Sequence, residues 1–89
     1  MTYKIQVAEK AIKALKKLPK RDRERIEEAI DFLAIDPRPN GCKKLEGKRS
    51  SALYRIRSRK YRVVYSIQDE MLFLLVVEVG HRKEIYRSY

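Results

Sequence analysis

This sequence of 89 residues is short of the residues that most enzymes rely on: one cysteine, one histidine, three glycines, three prolines and no tryptophan. A single Cys42 excludes a disulfide within the chain. It stands between Gly41 and Lys43 with no histidine or second cysteine near it in sequence, so it reads as an unpaired thiol. With so few soft ligands no metal constellation can be assembled, and no metal or other cofactor is expected. Three scattered glycines cannot form a phosphate-cradling loop of the Walker type. No apolar run approaches 18 residues; the longest, 71–77, has the length of a strand, so no membrane association is expected. The N-terminal MTYKIQVAEK lacks the apolar centre and small-residue cleavage site of a signal peptide, which with the lone cysteine makes the cytoplasm the expected compartment.

What is abundant is positive charge. Lys plus Arg is 22 against 12 Asp plus Glu, a net charge of +10, while 44% hydrophobic content is enough for a folded core. The length sets one domain, residues 1–89. Such an excess on a small surface calls for a polyanionic partner, nucleic acid before an acidic protein. The charge is uneven. Nine Lys or Arg (43, 44, 48, 49, 55, 57, 59, 60 and 62) face one acid, Glu46, between residues 43 and 62. Between residues 23 and 36 acids outnumber bases.

Hydrophobic periodicity divides the chain. Residues 3–7 alternate apolar and polar and predict a strand. Residues 8–18 switch to helical period, with Ala8, Ala11, Ile12, Leu15 and Leu18 on one face, and Pro19 ends that helix. A second helix is predicted over 21–35, with Asp22 as N-cap and Ile26, Ala29, Ile30 and Leu33 as its buried stripe. The two amphipathic helices form an antiparallel pair whose shared apolar side needs a sheet to cover. Two prolines and an Asn-Gly break the chain at 36–41, and 42–52 reads as a basic loop. Strands follow at 53–57, 60–67 and 71–79. The last is almost wholly apolar, hence central and covered on both faces, and ends at Gly80. The expected fold class is α+β: a three-strand C-terminal antiparallel meander plus the N-terminal strand, with the helix pair on one face.

Placing Ser58 and Arg59 as a two-residue hairpin loop pairs Arg57 with Lys60, Ile56 with Tyr61, Arg55 with Arg62 and Tyr54 with Val63. Apolar residues then oppose apolar ones, whereas a slip of one residue mixes the faces. Arg55, Arg57, Lys60 and Arg62 cluster on one face. Like charges opposed across strands are destabilising until an anion arrives, which is the state of an empty phosphate site. A basic face also solubilises and guards a sheet edge, and charge alone does not separate the two. The antiparallel return of the last strand brings Gly80, His81 and Arg82 to the same end. One helical turn over 82–86 puts Arg82 and Tyr86 on one side.

Cleavage of RNA by its own 2′-hydroxyl needs proton removal, proton delivery to the leaving oxygen and neutralisation of charge growing on phosphorus. Guanidinium groups match phosphate oxygens, and Arg62 and Arg82 are assigned that task. Arginine is a poor base, so proton transfer falls to His81 or Tyr86. Arg55, Arg57, Lys60, Lys43, Lys44 and Lys48 are candidates for holding the RNA backbone.

The segments YRIRSRKYRVVYSI and VVEVGHRKEIY, with LKKLP, DPRP and KLEG before them, resemble the RelE family of toxins over nearly the whole chain. The resemblance implies a small microbial-RNase-like α+β fold and a metal-independent, ribosome-dependent endoribonuclease that cuts mRNA in the ribosomal A site and stops translation. Its implied partners are the ribosome, mRNA and a RelB-type antitoxin that wraps the toxin. Operator DNA is contacted only through the toxin–antitoxin complex. By position, Arg62, Arg82 and Tyr86 match the family's catalytic arginines and tyrosine, while Arg55 and Arg57 stand where well-known members carry lysine. The glycine common before the Tyr-Arg pair is Lys60 here. Two alternatives share the composition: a ParE-like toxin that binds gyrase and cuts no RNA, and a non-catalytic basic module.

Overall fold

The structure is a computed structural model and describes residues 2–45 and 53–81. Its elements are β1 (Lys4–Val7), α1 (Glu9–Lys16), α2 (Lys20–Phe32), β2 (Lys43–Lys44), β3 (Leu53–Ser58), β4 (Tyr61–Gln68), a 3₁₀ turn (Asp69–Met71) and β5 (Phe73–His81). Five strands form one sheet in the order β1-β5-β4-β3-β2. β1 runs parallel to β5 and the other neighbours are antiparallel. The expected α+β class and the C-terminal meander are present. The sheet has one strand more than expected, because Lys43 and Lys44, read as loop, pair with Arg55 and Tyr54. Two lysines carry no alternation that could announce a strand.

The helices lie on one face. Ala11 and Leu15 of α1, with Ile26, Ile30 and Leu33, pack on Ile56, Tyr61, Val63, Tyr65, Leu74, Val76 and Val79. Ile12, placed on the buried stripe by its spacing, is instead 40% exposed. α2 begins at Lys20 after Pro19, and no side chain caps it. The Asp22 carboxylate expected at the cap accepts the Tyr61 hydroxyl at 2.9 Å, tying the first turn of α2 to β4. Burial and that bond hold the Tyr61 hydroxyl above its usual pKa.

The register of the β3–β4 hairpin differs from the expectation by two residues. Arg57 pairs with Arg62, Ile56 with Val63, Arg55 with Val64 and Tyr54 with Tyr65, so the two-residue loop is Arg59-Lys60. A shift of two keeps every side chain on its expected face, and a hydrophobic pattern cannot detect it. Arg59 carries the left-handed φ of +56°, one residue before the position where the family's glycine would fall. β5 crosses the sheet with one irregularity: Val64 faces Glu78 and Tyr65 faces Val76, leaving Val77 as the extra residue of a bulge. Gly80 does not break the strand. It pairs with Arg62 inside β5.

Candidate active site

Strand alternation sorts the side chains of β3 and β4. Ile56, Tyr61, Val63 and Tyr65 belong to the core beneath the helices. Arg55, Arg57, Arg62 and Val64 therefore point from the opposite face. Burial there is unequal. Arg57 is exposed. Arg55 is 4% exposed, Arg62 2% and Val64 fully buried. Withdrawing a guanidinium this far from water costs several kcal/mol unless its field is used, so two buried arginines outside the apolar core are an expensive feature of so small a protein.

Each strand contributes to their placement. β2 sets Lys43 opposite Arg55, on the same face and exposed, and sets Lys44 opposite Tyr54, on the helix face. Of the two lysines, only Lys43 joins the cation row. Arg55 Nη1 also donates to the Gly41 carbonyl at 3.5 Å. Arg62 lies between Arg57 on β3 and Gly80 on β5. A glycine at that point puts no side chain beside the guanidinium. Glu78, two residues earlier on β5, pairs with Val64 and is buried, with Oε1 3.1 Å from Lys10 Nζ. It is thus a diagonal neighbour of Arg62 across the strands, within the reach of long side chains. Nothing in the run VVEVG marks Glu78 as a site residue; its burial and its ion pair with Lys10 set it apart.

Other expected members lie elsewhere. Lys60 sits in the turn and its ammonium lies 5.6 Å from the centroid of the Tyr61 ring, on the helix side rather than in the arginine row. The expected pairs Arg57–Lys60 and Arg55–Arg62 do not form. His81 closes β5 opposite Tyr61 and presents its ring edge-on to that tyrosine, with centroids 5.7 Å apart and planes at 70°. It is exposed, and its side chain shares the Tyr61 side of the sheet edge rather than the side of Arg62. Lys48, Arg82 and Tyr86 lie outside the described residues. Among the described residues, no group of three or more His, Cys, Asp and Glu is placed to hold a metal ion. None of their helices is long and apolar enough to cross a membrane.

A second cluster fastens the segment before β2. Arg38 makes a two-pronged pair with Asp69, Nη1 to Oδ1 at 3.1 Å and Nη2 to Oδ2 at 2.8 Å, and Tyr3 donates its hydroxyl to Oδ1 at 2.6 Å. The Arg38 guanidinium lies 5.1 Å from the Tyr54 ring centroid, and Tyr54 stacks on Tyr65 at 6.1 Å. The hydrogen bonds from Arg38 and then from Tyr3 pull the Asp69 carboxyl down to about 2. Burial, then the Cys42 thiol, pushes the Tyr65 hydroxyl far above its usual value, so it stays protonated and donates to the Pro37 carbonyl at 2.7 Å.

The family model for the ParE toxin of type II toxin–antitoxin systems matches residues 5–86. The Escherichia coli mRNA interferase toxin RelE is 32% identical over 88 residues, covering 97% of this chain and 92% of its own length. The chain belongs to the RelE/ParE toxin family. Within that family the solved neighbours are RelE toxins. The archaeal RelE–RelB complex from Pyrococcus horikoshii superimposes with a TM-score of 0.79 at 33% identity, covering 92% of this chain and 97% of that one. The RelBE2 toxin–antitoxin complex from Mycobacterium tuberculosis gives 0.80 at 26% identity, covering 92% and 100%. This RelE-type toxin fold is a two-helix layer on an open, mostly antiparallel sheet, with Arg55, Arg57 and Arg62 on the face opposite α1 and α2.

Proposed function

We propose that the chain is the toxin of a type II toxin–antitoxin pair and acts as a ribosome-dependent mRNA endoribonuclease, neutralised by a RelB-type antitoxin. The observation that carries the reading is the burial of Arg62, withdrawn from water on the sheet face opposite the helices, between Arg57 and Gly80. A desolvated guanidinium is strongest where charge grows, on the non-bridging oxygens of a phosphorus under attack. In the reaction, the 2′-oxygen loses its proton and bonds to the adjacent phosphorus. The bond from phosphorus to the 5′-oxygen breaks, and that oxygen takes a proton, leaving a 2′,3′-cyclic phosphate and a 5′-hydroxyl. Arg62 and Arg82 hold the phosphorus oxygens. Arg55, Arg57 and Lys43 hold the flanking backbone. Tyr86 carries the protons, since His81 lies on the Tyr61 side of the sheet and away from Arg62, and no metal takes part. The RelE relative named an mRNA interferase and the RelE–RelB complexes support the substrate class and the antitoxin. In the cell the site of action is the cytoplasm, where translating ribosomes supply the mRNA.

A second reading is favoured by one observation, the match to the ParE family model. On that reading the same fold inhibits gyrase and leaves RNA intact. A cell-free translation reaction containing supercoiled plasmid separates them. Cleavage of translated mRNA with normal supercoiling is expected. Intact mRNA with arrested supercoiling would transfer the assignment to the gyrase inhibitors.

A further inference from the structure

Six side chains from separate parts of the chain meet at the end of β3 and β4 opposite the 59–60 turn: Tyr3, Arg38, Cys42, Tyr54, Tyr65 and Asp69. The Tyr65 hydroxyl gives its one proton to the Pro37 carbonyl, so in its 3.2 Å contact with Cys42 Sγ the thiol is the donor. The loop over 36–42 is thus held at both ends, at Pro37-Arg38 by Tyr65 and Asp69 and at Cys42 by Tyr65. Within it Arg38 N–H donates to Asp36 Oδ1 at 3.1 Å and Cys42 N–H to the Pro39 carbonyl at 3.0 Å, and Gly41 turns with a φ of +89°. The next two residues are β2. The loop therefore delivers two groups to the arginine row: the Gly41 carbonyl that receives Arg55 Nη1, and Lys43 opposite Arg55.

We infer that Arg38 and Asp69 are positioning residues for the RNA-phosphate face: their ion pair pins the 36–42 loop to the end of the sheet, and the pinned loop sets the Gly41 carbonyl and Lys43 against the Arg55 guanidinium. The inference rests on the proposed function for its substrate. It assigns work to an exposed ion pair that borders the core through Tyr54 and Tyr65 and stands at the end of the hairpin away from the 59–60 turn. A guanidinium on a flexible stem holds phosphate well only when its direction is fixed beforehand, and a misplacement of about 1 Å costs up to about 100-fold in rate. A purely stabilising role fits poorly. The two side chains are 44% and 52% exposed, and exposed ion pairs contribute little to global stability. The two-pronged geometry, the Tyr3 bond and the Tyr54 ring instead fix direction, which is what a positioning contact requires.

The test compares Arg38→Ala, Asp69→Ala and the exchanged pair R38D/D69R with the wild-type chain. Three readouts are needed: melting temperature, amide exchange at Cys42 and Leu45, and kcat and KM for mRNA cut on programmed ribosomes. The Leu45 amide is chosen because it donates to the Leu53 carbonyl at 2.9 Å and so reports the β2–β3 junction. The single variants are expected to melt close to wild type, to exchange both amides about tenfold faster, and to raise KM about tenfold with kcat little changed. The exchanged pair should recover part of both losses. Unchanged exchange and unchanged KM in the single variants would overturn the inference, as would a collapse of melting temperature with kcat and KM failing together. A wild-type chain that cuts no RNA would defeat the functional reading, and the exchange rates would then decide the loop clamp by themselves.

Discussion

The two arginines withdrawn from water, Arg55 and Arg62, lie on the sheet face opposite α1 and α2. Replacing a buried ion by a well-packed hydrophobe is often neutral or stabilising, so the burial of two guanidinium groups is by itself weak evidence for a folding role. Asp69 gives the residue scale a measurable signature. Its carboxyl is pulled below the usual 3.8 to about 2 by Arg38 and Tyr3. In the unfolded chain it takes up its proton near the usual value, so the native state loses stability as pH falls from about 4 towards 2 and keeps the full contribution above that window. Because the pair is exposed the global effect is small, and the direct readout is an NMR titration of the Asp69 carboxyl, whose midpoint should lie below the usual value in the wild type and move up towards it in Arg38→Ala. Equal midpoints would mean that the Arg38–Asp69 pair does not persist in solution.

Among the elements, the β3–β4 hairpin shows how far a pattern of apolar residues reaches. Alternation in LYRIRS and YRVVYSIQ fixes which face each residue takes, and Arg55, Arg57 and Arg62 fall together as the spacing implies. It leaves the offset open, because pairing shifted by two residues satisfies it equally. The offset is decided by the turn, where Arg59 accepts a left-handed conformation that disfavours side chains by roughly 1–2 kcal/mol. β2 was illegible for a different reason: two lysines become a strand only because the loop over 36–42 lays them beside Arg55 and Tyr54. The helix pair was legible from its stripes, except that Ile12 faces outward and Asp22 serves Tyr61 instead of a cap. His81 followed Gly80 as expected but emerges on the Tyr61 side, a consequence of β5 continuing through Gly80. β5 is the element on which the sheet depends, since it pairs with both β1 and β4. Leu74 on β5 is fully buried, and Leu74→Ala should cost about 2–5 kcal/mol in urea unfolding, with no change in the RNA product pattern at temperatures where the variant is folded. A loss below about 1 kcal/mol would mean that β5 is not packed as described.

At the scale of the molecule, a net charge of +10 on 89 residues gives a field that draws in a polyanion before any specific contact forms. Binding to ribosome or RNA should weaken as salt rises, with a log–log slope of about −0.7 for each phosphate engaged on single-stranded RNA. Removing the exposed Arg57 should reduce that slope by about one phosphate. A slope unchanged by Arg57→Ala would place the RNA backbone elsewhere on the surface.

The central claim, that RNA is cut at the sheet face that carries Arg62, opposite α1 and α2, is tested most directly by the rate of mRNA cleavage on translating ribosomes for Arg62→Ala and Arg62→Lys beside the wild type, each checked for a native melting transition. The account predicts a loss of about 100-fold or more for Arg62→Ala, and little recovery in Arg62→Lys because an ammonium lacks the planar fork. Cleavage by a folded Arg62→Ala at the wild-type rate would contradict it.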